Sequence, residues 1–281
     1  MRVAIDHETI YRYPAESGYS IQYLRLSPIS GTSQRVLSWK VKAPGNLRPW
    51  IDGFGNAAHV LVVEGPHREV RVKAVGEVEI ADVGKPLLAD ADPHLPELFL
   101  RWTRLTAPDD RIIRFAGGFR PALATNARKG LDSLLAGIRQ SIDGEGDSGP
   151  DQPVVTASQA LDRHKGGSRD QSHLFVSCCR SLGVPARYVS GYLCQDSTED
   201  AGLSTHAWAE AWVEGAGWLR YDVANRMSNA KAHVRVAVGL DYLDTVPVRG
   251  LRRGAGNETL AVETTITDAR PIKVQQQQQQ Q

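Results

Sequence analysis

Ser168, His206 and Asp222 follow one another in the chain, and they have the residue types of a nucleophile, a general base and the carboxylate that orients that base. Ser168 opens the segment Ser168-Arg169-Asp170-Gln171-Ser172-His173, directly ahead of an apolar stretch. A nucleophile in the first turn of a helix gains from the positive end of the helix dipole, and backbone N–H groups there can stabilise an oxyanion. The backbone N–H of Ser168 is the one oxyanion donor this pattern suggests. Any chain of 281 residues supplies a serine, a histidine and an aspartate, so spacing alone does not establish a triad. Ser168 also has a non-chemical reading. With Gln171 three residues on, it fits a capping box, in which the hydroxyl accepts from the N3 amide and the glutamine reaches back. That role stabilises a helix by about 1 kcal/mol and needs no reaction.

The elements that must position these residues follow from local pattern. A helix is predicted from about Ser168 to Leu182, stopped by Gly183 and Pro185. Ala186 to Cys194 alternates as a strand, and His206 to Trp212 with Trp218 to Asp222 reads as a hairpin around Glu214-Gly215-Ala216-Gly217. A five-residue loop, Val213 to Gly217, sets Trp208 opposite Asp222 and His206 one diagonal step away on the same face. A four-residue loop would put the two on opposite faces. Cys179 shares a helical face with Ser168 but lies ~16 Å along the axis, too far to replace it. His173 reads as a buried helix residue, and Trp208, Trp212 and Trp218 read as core and groove wall.

Before that region the texture differs. Tyr19 to Leu26, Arg35 to Val41, Ala58 to Val63 and Glu69 to Ile80 are strand candidates, separated by turns at Pro28, Gly31, Pro44, Gly53 and Gly55. In the last of them Val70, Val72, Ala74, Val78 and Ile80 share one face. After Lys85-Pro86, Leu131, Leu134, Leu135, Ile138 and Ile142 recur at helical spacing, and Asp92 to Phe115 should hold another helix. The expected division is a β-sandwich-like domain over 1–84, a core over 85–270 and a disordered glutamine-rich tail over 271–281.

Composition narrows the function. Lys+Arg 33 against Asp+Glu 32 gives no basic surplus for nucleic acid, and no apolar run approaches a membrane span. The amino-terminal residues lack the apolar run of a signal peptide, so a cytoplasmic protein is expected. Cys178, Cys179 and Cys194 have neither disulfide nor metal-ligand spacing and read as buried apolar residues.

Several motifs carry a resemblance. Asp52-Gly53-Phe54-Gly55-Asn56, Pro185-Ala186-Arg187-Tyr188-Val189-Ser190-Gly191-Tyr192, His206-Ala207-Trp208-Ala209-Glu210, Gly215-Ala216-Gly217-Trp218, Asp222 with Asn225, Asp241-Tyr242 and Pro247-Val248-Arg249-Gly250 make the chain similar to the bacterial transglutaminase-like proteins. The resemblance runs from Tyr11 over nearly the whole chain. It implies an α+β fold, with an N-terminal β-sandwich-like domain ahead of a papain-like transglutaminase core. It also implies a Cys-His-Asp triad whose cysteine opens a Cys-x-Asp-x-x-His motif. Here Ser168 matches the cysteine, Asp170 and His173 are retained, and His206 and Asp222 match the other two members. Asp222-Val223-Ala224-Asn225 stands where the resemblance implies Asp-Pro-Thr-Asn. The implied chemistry is acyl transfer on an amide, peptide or isopeptide hydrolysis or transfer to an amine, with a peptide or protein substrate and no metal or organic cofactor. A hydroxyl must be deprotonated during attack, whereas a thiolate forms beforehand. A catalytically silent peptide- or protein-binding module therefore stands as the alternative, and a scaffold using the β-domain as a weaker one.

Overall fold

Alternating apolar residues over the first eighty positions build two unusually long strands. A computed structural model describes residues 1–80, 94–145, 154–194, 203–225, 232–253 and 261–268. β1 (Arg2–Leu24), β2 (Gln34–Lys42), β3 (Asn46–Ile51) and β4 (Ala57–Ile80) pair antiparallel, with β2 and β3 both on β4. The expected strands Ala58 to Val63 and Glu69 to Ile80 are one strand. Gly65, at φ +83°, carries the chain through the join, and register shifts between Arg12 and Tyr19 of β1 absorb the irregularity. Tyr19 to Leu26 is likewise the end of β1, which already begins at Arg2. One cluster serves both ends of the long strands: Tyr11, Val70, Val72 and Ala74 pack with Leu24, Leu61 and Val63.

The second half follows. After a 3₁₀ turn at Pro96–Leu100 come α1 (Asp110–Gly117), α2 (Arg120–Thr125), α3 (Ala127–Ser141), the two-residue strand β5 (Asp143–Gly144), α4 (Ala157–Arg163), its parallel partner β6 (Lys165–Gly166) and α5 (Ser168–Ser181). An antiparallel sheet, in the order β10-β7-β8-β9, comprises β7 (Ala186–Cys194), β8 (Leu203–Val213), β9 (Gly217–Tyr221) and β10 (Ala232–Gly239). Helix α6 (Tyr242–Thr245) ends this half. The core joins Leu131, Leu134 and Ile138 of α3 to Leu174, Phe175 and Cys178 of α5 and to Ala209, Ala211 and Tyr221 of the sheet. Cys178 and Cys179 are fully buried, and burial pushes both thiols far up, so neither is a nucleophile. The fold is α+β.

The chain's end then returns to the first sheet. β11 (Val248–Arg253) and β12 (Ala261–Asp268) both hydrogen-bond along β1. A core drawn over 85–270 therefore surrenders its last two strands to the N-terminal sheet, because β1 has an edge long enough to seat both. The halves meet in a shared cluster of Val3, Ile5, Val78 and Ile80 with Tyr192, Val234 and Val236. Among the described residues no helix is long and apolar enough to cross a membrane. The Lys85-Pro86 boundary, part of the loop after Asp143, the Cys194 side chain and the Gln275–Gln281 tail lie outside the described residues.

Candidate active site

Helix α5 begins at Ser168, as its sequence predicts, and Leu182 and Gly183 (φ +81°) end it. The N-cap is Gly167, and Asp170 takes the capping role: its Oδ2 accepts from Gly167 N–H at 3.2 Å. The expected Ser168–Gln171 capping box does not form, because the helix starts one residue earlier than that motif requires. Gln171 Nε2 instead donates to the Gly166 carbonyl at 2.8 Å. The Ser168 Oγ accepts from Ala207 N–H at 3.1 Å. Ser168 is only 2% exposed.

That bond ties the first turn of α5 to β8 beside His206. Trp212 pairs with Trp218 and Ala209 with Tyr221, the register of the five-residue loop. His206 and Asp222 accordingly meet on one face, with His206 Nε2 donating to Asp222 Oδ2 at 2.9 Å. The imidazole thus presents its Nε2 edge to the carboxylate and has Nδ1 on its other side. Trp208 stacks on the His206 ring at a centroid distance of 6.4 Å and is fully buried. Gly191 lies opposite His206 on β7, where a Cβ would strike the Val234 carbonyl and the Trp208 ring. Only glycine fits between those strands.

The loop after Asp222 is held from α3. Arg139 donates from Nε to the Val223 carbonyl at 3.0 Å and from Nη2 to those of Asp222 and Asn225 at 2.6 and 2.7 Å. Asp222 Oδ1 accepts from Asn225 N–H at 3.1 Å. These bonds hold the Asp222–Asn225 turn, which has valine where the resemblance implies proline. Behind the site, Arg187 and Glu210 form a buried ion pair at 2.6 Å, with the guanidinium 4.2 Å from the Trp218 ring centre. Burial alone would raise the Glu210 carboxyl, but Arg187 and Arg235 outweigh it and bring it down to about 2.

Two residues extend the predicted set. His233, heading β10, donates from Nε2 to the same Asp222 Oδ2 at 2.7 Å, and its ring meets Trp208 edge-on at 4.9 Å. Arg220 of β9 lies 3.3 Å from His233 Nδ1. Burial would raise the Asp222 carboxyl, yet hydrogen bonds from both histidines hold it well below the usual carboxylate range. Burial, together with the charge of Arg220, moves His233 below the ordinary imidazole value against the pull of Asp222. His173 is the buried helix residue it was expected to be: its Nε2 accepts from Tyr242 N–H at 3.1 Å, and its ring lies tilted against that of Tyr188, 4.9 Å between centroids.

His206, Asp222 and His233 bring ligand atoms within 4.8 Å of one another, a spacing that suits a metal ion. The donor chemistry around them does not. A histidine bound through Nε2 carries its proton on Nδ1, and His233 Nδ1 faces a guanidinium that can only donate. That fixed positive charge also opposes a dication, so the donor set does not suit a metal ion.

Comparisons with known proteins agree with this architecture. Residues 121–223 match the family described as transglutaminase-like superfamily, and residues 3–79 match the bacterial transglutaminase-like N-terminal region. The two matched segments fall one on each half of the fold, the first on the N-terminal strands and the second on the helices and sheet that carry the candidate site. An uncharacterized protein of Mycobacterium leprae is 29% identical over 95% of this chain and 98% of its own length. One from Mycobacterium tuberculosis is 26% identical over 89% of this chain and 87% of its own. The crystal structure of a candidate cysteine protease from Cytophaga hutchinsonii superposes with a TM-score of 0.63 at 16% identity, covering 96% of this chain and 92% of the other, and so shares the fold.

Proposed function

We propose that the protein is a transglutaminase-like acyl-transfer enzyme that acts on amide bonds of a peptide or protein through Ser168, His206 and Asp222. The observation that carries this reading is that Ser168 Oγ accepts from the N–H of Ala207, the residue after His206, at 3.1 Å, while His206 itself bonds Asp222 at 2.9 Å. In the proposed reaction Ser168 Oγ attacks the amide carbonyl as its proton passes to His206 Nδ1. The amide N–H groups at the start of α5 stabilise the oxyanion. His206 then returns the proton to the departing amine, leaving an ester on Ser168 that water or a second amine resolves. Asp222 fixes the His206 ring throughout.

The burial of Ser168 favours one other reading, a silent site whose cleft binds a peptide without turnover. Intact-mass labelling with a fluorophosphonate separates the two. An adduct on Ser168 that disappears in Ser168→Ala and His206→Ala supports the enzyme. No adduct on the unmodified protein, with saturable peptide binding that survives His206→Ala, overturns it.

A further inference from the structure

Two imidazoles share one carboxylate oxygen at this site, and their protonation states are fixed by different neighbours. His233 Nδ1 sits 3.3 Å from Arg220 Nη1, and a guanidinium has only donors, so Nδ1 must accept. The ring proton of His233 is therefore on Nε2, where it donates to Asp222 Oδ2 at 2.7 Å. A cationic His233 would place an N–H against the Arg220 N–H groups, so the ring stays neutral. The charged and titratable groups around it are Arg220 of β9, Asp222 just after that strand and His206 of β8, with Glu210 of β8 and Arg235 of β10 flanking Arg220.

We propose that His233 is a positioning residue of the acyl-transfer centre: as a fixed neutral Nε2–H donor, it holds the Asp222 carboxylate and draws part of its charge away from His206. This rests on the reading of Ser168 as nucleophile, and the consequence suits a serine. A cysteine–histidine pair works as a preformed thiolate and imidazolium, for which a strongly basic imidazole is an advantage. A serine needs an imidazole that is neutral before attack, so that Nδ1 can receive the hydroxyl proton. Each hydrogen bond donated to Asp222 by a second group weakens its stabilisation of the His206 cation. His233 supplies that bond without itself taking or losing a proton. The proton released by Ser168 travels to His206 Nδ1, while both Nε2 protons stay in place.

Strand geometry keeps His233 where this requires. Val234 and Val236 turn into the cluster shared with the N-terminal sheet. His233, on the opposite face at the head of β10, is directed to Asp222 and Trp208. A register shift between Arg235 and Ala237 lets the rest of β10 continue along β7.

The test uses the full-length protein with ¹⁵N-histidine labelling, read by NMR through a pH titration, with His233 and His206 signals assigned by their loss in His233→Gln and His206→Gln. The expected result is a His233 ring protonated at Nε2 only and unchanged between pH 5.5 and 8. In His233→Leu the His206 titration midpoint should rise by about half a pH unit or more. In His233→Gln, whose amide nitrogen can replace Nε2 and whose carbonyl can accept from Arg220, it should return toward the native value. Finding His233 protonated on Nδ1 or cationic at pH 7 overturns the proposal, and this reading is made on the unmodified protein, with the conservative Gln variants needed only to assign the signals. So does an unmoved His206 midpoint in a folded His233→Leu. None of these signals requires turnover, so the proposal can fail while Ser168 labels, or hold while Ser168 does not.

Discussion

The side-chain amide of Asn56 closes on the backbone of Val238: its Nδ2 donates to the Val238 carbonyl at 2.8 Å and its Oδ1 accepts Val238 N–H at 2.8 Å. Gln34 makes the same pair of bonds to Arg235, both at 2.8 Å. β10 is the outermost strand of its sheet, and its free edge would otherwise present unpaired backbone groups. Two amides from the N-terminal sheet therefore take the place of a neighbouring strand. The same strand carries His233, so the N-terminal sheet reaches Asp222 through β10.

Replacing Asn56 by Leu strands a buried donor and acceptor on Val238 and should cost on the order of 1–3 kcal/mol. Gln34→Leu should cost a similar amount at Arg235. Urea unfolding of each variant measures this, and a loss below a few tenths of a kcal/mol would mean that β10 is held by its β7 ladder alone.

Ser168→Cys should give a thiol that the first turn of α5 and His206 activate together. Alkylation by iodoacetamide at pH 7, followed by intact mass, should modify it at least about tenfold faster than the buried Cys178 and Cys179. Adding His206→Ala should remove most of that advantage. A rate at the introduced thiol equal to that of an ordinary exposed one, and insensitive to His206, would argue against an activated site.

The meeting of His206 and Asp222 on one face was legible in the sequence because the hairpin loop length sets that register, and the start of α5 at Ser168 was legible from its helix pattern. Val70, Val72, Ala74, Val78 and Ile80 were legible from their alternation, and all are buried. β11 and β12 were not legible, since their partner β1 lies at the far end of the chain and pairing at that distance leaves no periodic signal. β4 was read as two strands because Gly65-Pro66 interrupts the alternation while its backbone still follows β1. His233 left one faint signal, a histidine heading the alternating run Val234-Arg235-Val236. Its bond to Asp222 depends on strand order in the sheet, which local pattern does not encode. The Ser168 cap failed for a narrower reason: Gly167 offers no side chain, so the motif pointed one residue too late.

Stability should fall in mild acid. Burial lowers both His7 and His173 to about 4 from the ordinary imidazole value of 6.5, so the folded protein resists protonation that the unfolded chain accepts. The unfolded state then binds more protons between pH 6.5 and 4. Stability from these groups is complete above pH 6.5 and declines as pH falls toward 4, by up to about 3 kcal/mol for each. His7 sits at the junction of the halves, its Nδ1 2.7 Å from the Tyr192 hydroxyl and its Nε2 3.0 Å from Thr9 Oγ1. Urea midpoints at pH 7, 5.5 and 4.2 should decrease in that order, and His7→Gln should flatten the slope. Equal midpoints across that range would contradict the buried neutral state of both rings.

Arg139 should matter to the reaction more than to the fold. It reaches from α3 to three carbonyls of the Asp222–Asn225 turn, and those bonds fix the backbone from which the Asp222 carboxylate projects. The planar fork of a guanidinium serves several acceptors at once, which an ammonium on a flexible stem does not. Arg139→Lys should therefore recover little of the loss in Arg139→Met. Both variants should slow Ser168 labelling at least about tenfold, since a displaced carboxylate leaves the His206 ring free to turn. Their unfolding free energies should drop by only about 1–3 kcal/mol, the cost of carbonyls left without donors. The informative comparison sets labelling rate against stability for the two variants together. Labelling at the native rate in folded Arg139→Met would show that Asn225 N–H and the two histidines suffice to hold Asp222, and that the clamp from α3 serves only the turn.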